Sequence, residues 1–337
     1  MANIKIPPVV FGTSGLGNLY HAPDYEEKKA IVNACVTSSS NFTFFDTAGK
    51  YGAGLALEVL GSCLKDLRID PSKVLISNKL GWYQTELKDP EPTFEPGVWK
   101  NLKNDAVQRI SYQGILDCFE QGNKLLGGYP ASFVSVHDPD EYLRAAKNER
   151  QSQQRYADII DAYQALNELK SAGRVSAVGI GAKDWKTIRK IAQDVQLDWV
   201  MIANSLTVQS HPKELIQFIE ALDKKNIPVI NSAIFNGGFL TGSEFYNYRK
   251  VDDNNVDDQA LLSWRSDFFD ICSQYGLLPA EACFNFCRHF SGIKSIAMST
   301  TKVEKVAQNL AMTSKQVPPE FWITMYKNGL IETPIIS

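Results

Sequence analysis

Short runs of apolar and β-branched residues recur along the chain, and a stretch with helical spacing of its apolar positions follows each of them. The pattern predicts a strand over Val9–Gly12 with a helix over Asp24–Ser38, and a strand over Thr43–Asp46 with a helix over Leu55–Leu67. It predicts strand Lys73–Lys79 with helix Asp105–Leu126, and strand Phe133–His137 with helix Tyr156–Ser171. Strands Val175–Ile180 and Trp199–Ala203 pair with helices Trp185–Gln193 and Lys213–Lys225. Strands Pro228–Ser232 and Lys294–Met298 pair with helices Asp258–Tyr275 and Val303–Ala311. About eight such units close a (β/α)8 TIM barrel, with Pro279–His289 and Pro318–Lys327 as extra outer helices. Helical crossovers demand a parallel sheet. A doubly wound open sheet is the rival. It would carry Gly-x-Gly-x-x-Gly between strand and helix. Gly12-Thr13-Ser14-Gly15-Leu16-Gly17 has its gaps in the wrong order, and Gly179-Ile180-Gly181 lacks the third glycine. Three longer loops follow strands, at residues 81–103, 138–155 and 242–257. In a barrel such loops crowd the catalytic face. No linker interrupts the pattern, so residues 1–337 read as a single domain.

The composition fits a soluble globular chain: 337 residues, 44% hydrophobic and 22% charged. Disorder, collagen and coiled coil are excluded as the main architecture. Lys and Arg number 35 against 38 Asp and Glu, a net charge of -3, which leaves no footprint for nucleic acid. The six cysteines form no CxxC pair and read as buried thiols of a reducing compartment. The start, Met1-Ala2-Asn3-Ile4-Lys5, lacks a leader pattern, and no apolar run approaches the ~20 residues of a membrane span. A cytoplasmic protein that acts on a small molecule is expected.

Four polar residues at or after strand ends carry the candidate chemistry: Asp46, Tyr51, Lys79 and His137. Each has an ordinary reading: a helix cap, a half-buried aromatic, a solvated lysine, a core histidine. Jointly they suggest more, because a lysine and an aspartate at the inner ends of adjacent strands are both desolvated and need each other. The set suits carbonyl reduction or its reverse. A phenol titrates near pH 10, and a neighbouring ammonium is expected to lower that value. A carboxylate holds the ammonium, and a neutral imidazole orients the substrate oxygen. Hydride must come from a cofactor.

Phe45-Asp46-Thr47-Ala48 with Tyr51-Gly52, Lys79 ending the third strand and His137 ending the fourth resemble the aldo-keto reductase family, over about Val9 to Leu310. The resemblance implies Tyr51 as general acid or base, Lys79 as its tuner, Asp46 as the anchor of Lys79 and His137 as the orienter of substrate. It also implies a nicotinamide dinucleotide held without a Rossmann motif. Gly12, Thr13 and Asp46 would lie near the nicotinamide. Ser232, Phe235, Asn236, Gly238 and Leu240 resemble the family's pyrophosphate loop, where glycines let backbone N–H groups face phosphate. Met298, Ser299 and Thr300, with Lys305, Gln308 and Asn309 on the following helix, resemble its adenosine-phosphate segment. Lys183 stands where the family has an asparagine for the carboxamide, and the sixth strand lacks the aromatic that stacks on nicotinamide. Phe235 or Trp82 would have to cover the ring. No basic residue directly follows the eighth strand, which favours NAD over NADP.

Gly15-Leu16-Gly17-Asn18-Leu19-Tyr20, His137-Asp138-Pro139-Asp140 and Ala177–Gly181 with Trp185 are similar to the aldose 1-dehydrogenases acting on L-fucose or D-arabinose. Pyridoxal 4-dehydrogenases and general aldehyde or ketone reductases of the family are similar too. Tyr20, His21, Trp82 and Tyr83 are the candidate substrate pocket, since aromatic faces pack against sugar C–H faces. No glutamate pair at strand ends supports a glycosidase. An aldolase lysine would leave the Asp–Tyr pair unexplained. Histidines 21, 137, 211 and 289 share no metal-ligand spacing. A non-catalytic, cofactor-sensing subunit is the alternative from another class.

Overall fold

The computed structural model describes residues 5–39, 41–247, 249–332 and 334–335. Residues 1–4, on which most of the expectation about a leader falls, lie outside that range. Eight parallel strands close into a barrel: Val9–Gly12, Thr43–Ala48, Val74–Leu80, Phe133–His137, Ala177–Ala182, Trp199–Ala203, Val229–Ser232 and Ile293–Ser299. Each lies beside its neighbour in sequence. The eighth returns to the first, where Gly12 pairs with Ser299 on one side and with Asp46 on the other.

Period-two alternation explains why these strands both fill the barrel and furnish its mouth. Val10, Phe44, Phe133, Trp199 and Ile230 form a buried cluster within the ring of strands. Phe133 packs edge-on against Phe44 at 5.3 Å and tilted against Trp199 at 6.1 Å. Two residues further along each strand, the same rows continue with Gly12, Asp46, Ser135 and Ser232. Gly179 is needed for this packing, because a Cβ there would lie 2.2 Å from the Trp199 indole. The intervening residues, such as Phe45, Val134 and Val178, face the helices and join the main core.

Helix starts follow side-chain caps. Asp24 and Glu27 form a capping box at helix Tyr25–Thr37. Ser111 caps helix Tyr112–Leu126, and Asn148 caps helix Glu149–Ser171.

Several predicted segments are corrected, the loop at residues 81–103 among them, since it opens on strand Trp82–Glu86. Asn104–Gln108 is not the start of a helix but a strand, paired antiparallel with Trp82–Glu86. The helix begins only after the Ser111 cap, and hairpin pairing overrides the local helical pattern. Residues 138–155 are not a loop. They hold helix Pro139–Arg144 and the first turns of Glu149–Ser171. That segment is charged and partly exposed, so it lacks the apolar periodicity that marks a helix. Residues 242–257 contain a small hairpin, Phe245–Tyr246 with Arg249–Lys250, before helix Val256–Gln274. The other element ends differ from expectation by a residue or two.

Candidate active site

Asp46 lies on the second strand and is buried at the mouth of the barrel. Ser77 Oγ donates to its Oδ1 at 2.7 Å, and the Lys79 ammonium donates to Oδ2. Tyr51 follows in a turn: its N–H donates to the Ala48 carbonyl at 3.1 Å, and helix Leu55–Asp66 starts four residues on. The turn is pressed against the loop after the first strand. Gly52 has φ +61°, and a Cβ there would stand 2.3 Å from the Gly17 carbonyl oxygen. Only glycine fits both the left-handed backbone and that approach.

The turn aims Tyr51 inward. Lys79 Nζ lies 4.8 Å from the centre of the Tyr51 ring. The His137 ring meets Tyr51 edge-on, with centroids 5.6 Å apart. All four predicted residues therefore meet in one buried sector.

Burial pushes the Tyr51 phenol up to about 12, although Lys79 pulls it down. The expected net lowering is corrected on this point: removing the phenolate from water costs more than the ammonium returns. Burial alone would lower the Lys79 value, but Asp46 and Tyr51 raise it, so the lysine stays charged. Burial, with Lys79, Lys50 and Lys183 near, holds His137 well below its ordinary range and hence neutral. Its 3.7 Å contact with Asp138 is therefore not an ion pair.

The proposed cofactor residues form a continuous edge beside this sector, because the first, eighth, seventh and sixth strands are neighbours. Thr13 Oγ1 donates to the Asp46 carbonyl at 3.1 Å. A Cβ on Gly12 would reach within 2.2 Å of Ser299 Oγ, so glycine there leaves room for the Ser299 hydroxyl. Ser232 Oγ donates to the Ile202 carbonyl, and Met298 and Leu240 are buried. In the next turn Gly238 has φ +90°, and the Phe235 carbonyl accepts from the N–H groups of Gly238 and Leu240. Phe235 packs half-buried on the core. Asn236 donates to Asn247 Oδ1 at 3.0 Å. Thr300 Oγ1 accepts from the Lys302 N–H ahead of helix Val303–Ala311, which has no side-chain N-cap. Lys305 and Gln308 are exposed on that helix, and Asn309 is half-buried.

Two buried acceptors on this edge, Asn204 Oδ1 and Asn236 Oδ1, have no partner among the described residues. As acceptors they fit a ligand that presents N–H or O–H donors, as the carboxamide and ribose hydroxyls of a nicotinamide dinucleotide do. Asn204 is a residue the sequence reading missed. Its left-handed φ of 61° just past the sixth strand is not visible in the sequence pattern.

The proposed substrate residues separate. Trp82 shares an apolar cluster with Tyr51, Phe94 and Trp99, and lies 5.4 Å from the Phe94 ring. Tyr83, on the opposite face of the hairpin, packs on the main core with Arg109 4.5 Å above its ring. Tyr20 and His21 are exposed, and the Tyr20 N–H donates to the Val98 carbonyl. Trp99 was not legible as a site residue, yet its ring lies 5.9 Å from that of Tyr51. Lys183 donates to Glu141 at 2.5 Å and lies 3.8 Å from Asp138. Among the described residues no group of three or more His, Cys, Asp or Glu is placed to hold a metal, and no helix is long and apolar enough to cross a membrane.

A sequence model described as "Aldo/keto reductase family" matches residues 8–327. The chain is 26% identical to a pyridoxal 4-dehydrogenase of Microbacterium luteolum, over 97% of this chain and 95% of that one. It is 23% identical to a D-threo-aldose 1-dehydrogenase of a Pseudomonas species, over 99% and 97% of the two chains. It is 41% identical to a probable voltage-gated potassium channel subunit beta of Oryza sativa subsp. japonica, over 85% and 82%.

Proposed function

The chain belongs to the aldo/keto reductase family of NAD(P)-dependent oxidoreductases, and on that premise we propose that it moves hydride between nicotinamide and C1 of an aldose of the L-fucose or D-arabinose type. For a pyranose, the reaction converts lactol to lactone. The observation that carries the reading is the buried Lys79 ammonium, which bonds Asp46 and faces the Tyr51 ring. Tyr51, as the phenolate that Lys79 stabilises, takes the proton of the anomeric hydroxyl and becomes the neutral phenol as hydride leaves C1. In the reverse direction the phenol, up near 12, holds its proton until the substrate oxygen needs it. Neutral His137 donates an N–H to the same oxygen and orients it. Asp46 keeps the lysine charged and in place. Gly12, Ser299, Asn204 and the Ser232–Leu240 turn are the residues that would hold the dinucleotide, which supplies or accepts the hydride when bound.

NAD is the proposed partner. Lys302 and Lys305 are the nearby cations after the eighth strand, and no basic residue directly follows it to hold a 2′-phosphate. NAD is expected to bind at least as tightly as NADP. NADP affinity tenfold tighter, a difference of about 1.4 kcal/mol, would reject this.

Two further readings have their own support. Oxidation of pyridoxal is favoured by the 26% identical relative, and a subunit role by the 41% identical one, which for this chain would be that of a cofactor-sensing subunit. One experiment separates all three. NADH absorbance is followed with L-fucose, D-arabinose and pyridoxal, with Tyr51→Phe as control. Turnover on a sugar that vanishes in the variant is expected. Turnover on pyridoxal alone supports the second reading, and dinucleotide binding without turnover supports the third.

A further inference from the structure

Three carboxylates converge on one buried ammonium outside the tetrad. Lys50 Nζ lies 2.7 Å from Glu95, 3.2 Å from Glu141 and 3.7 Å from Asp138, with its side chain only 5% exposed. It also lies 5.3 Å from the centre of the Trp82 ring. The partners come from separate mouth loops: Lys50 follows the second strand, Glu95 the third, and Asp138 and Glu141 the fourth. The other oxygen of Glu141 accepts from Lys183, after the fifth strand.

Stability alone is a poor reason for this arrangement, since apolar residues of similar size commonly do as well as buried ion pairs. The backbone is also held unfavourably. Glu95 and Asp138 both have left-handed φ, at 44° and 45°. Two non-glycine residues kept in such a conformation, both facing one lysine, mark a geometry maintained for function.

The second oxygen of Glu95 shows what is being held. It accepts from Trp99 Nε1 at 2.7 Å, and Trp99 lies against Tyr51. Lys50 thus grips, through Glu95, the segment that walls the proton-transfer site. A cavity of about 410 Å³ opens beside this grip, lined by Lys50, Trp82, Glu95 and Glu141.

We propose that Lys50 is a positioning residue that latches the Phe94–Trp99 segment over Tyr51, fixing the wall against which the substrate is held. The latch is a property of the chain alone. Its effect on substrate rests on the oxidoreductase reading above.

Lys50→Met, Lys50→Arg and Glu95→Gln are compared with the parent protein. Hydrogen exchange on the protein without ligand reads the latch directly. In Lys50→Met and Glu95→Gln, amides of residues 94–99 are expected to exchange at least tenfold faster, with barrel strands unchanged. With whichever sugar or aldehyde the parent turns over, KM is expected to rise at least tenfold while kcat stays within threefold. Lys50→Arg should recover most of both effects. Unchanged exchange at residues 94–99 in Glu95→Gln or Lys50→Met overturns the latch, whatever the activity. Faster exchange with an unchanged KM overturns the positioning role. If no substrate is turned over, the oxidoreductase reading fails and exchange alone still decides the latch. Should Lys50→Met not fold, Glu95→Gln carries the same measurements.

Discussion

The Lys79 ammonium lies 4.8 Å from the centre of the Tyr51 ring and donates to Asp46. A single buried cation thus serves an acidic partner that keeps it charged and a phenol whose anion it can stabilise. Burial raises the phenol and the lysine opposes that rise. Removing the lysine should therefore move the phenol further up. In Lys79→Met, sugar oxidation should need higher pH to reach its peak rate, and turnover should fall, with dinucleotide affinity nearly intact. A kcat–pH profile that matches the parent would remove Lys79 from this role.

The same substitution strands Asp46, whose buried carboxylate keeps, among the described residues, only the Ser77 hydroxyl as a side-chain donor. Breaking a buried pair by removing one partner costs about 3–5 kcal/mol. Urea unfolding of Lys79→Met should show a loss of that order, and Lys79→Met with Asp46→Asn should recover part of it. Equal stability of the single and double variants would mean that the carboxylate is not left charged.

Tyr51→Phe removes the exchangeable proton and keeps the ring packed against Trp99 and His137. General acid–base catalysis contributes about 10²–10⁴-fold, and kcat should fall by that factor. Fluorescence titration should show dinucleotide affinity within about twofold of the parent, since a factor of two is only ~0.4 kcal/mol. A smaller loss of turnover would assign the proton to another group.

Gly52→Ala tests the turn that aims Tyr51. A left-handed φ costs a non-glycine residue about 1–2 kcal/mol, and the new Cβ would also meet the Gly17 carbonyl oxygen at 2.3 Å. Both the melting temperature and kcat should drop. Parent-like kcat in a destabilised variant would show that the Gly17–Gly52 contact supports folding but does not place the phenol.

Two buried histidines predict how stability depends on acid. His211 accepts the Glu332 N–H at Nε2 and meets the Thr207 carbonyl through Nδ1, and burial lowers its pKa. His137 is lowered well below 6.5 by burial. Well above pH 6.5 both are neutral whether folded or unfolded. Below it the unfolded chain takes up protons that the folded one refuses, so stability falls as pH drops, by up to ~1.4 kcal/mol per unit for each histidine. Asp138, raised to about 6 by burial, acts in the opposite sense as pH falls from there. His211→Gln isolates one contribution. Urea midpoints between pH 7 and pH 5 should fall less steeply in the variant than in the parent. Parallel slopes would mean that His211 titrates alike in both states.

Barrel class and the four residues of the tetrad could be read from the chain because both depend on short-range regularities. Strand residues alternate with period two, and apolar runs alternate with helical stretches, so Asp46, Lys79 and His137 could be placed near strand ends by counting. The hairpin Trp82–Glu86 with Asn104–Gln108 could not be read that way, since its strands are joined by 17 residues without a tight-turn signature. Helix Glu149–Ser171 was under-read because it is largely polar. Trp99, Asn204 and the partners of Lys50 were also out of reach, because their roles come from contacts between loops distant in sequence.

What the sequence determined by itself is the order of strands and helices and the kinds of side chain presented at the barrel mouth. What tertiary structure alone decided is the balance of forces on them. Burial outweighs the ammonium in setting the Tyr51 phenol, and loops from separate units meet at Lys50. Desolvation and loop contact depend on what surrounds a group in space, and local pattern in a chain does not encode those surroundings.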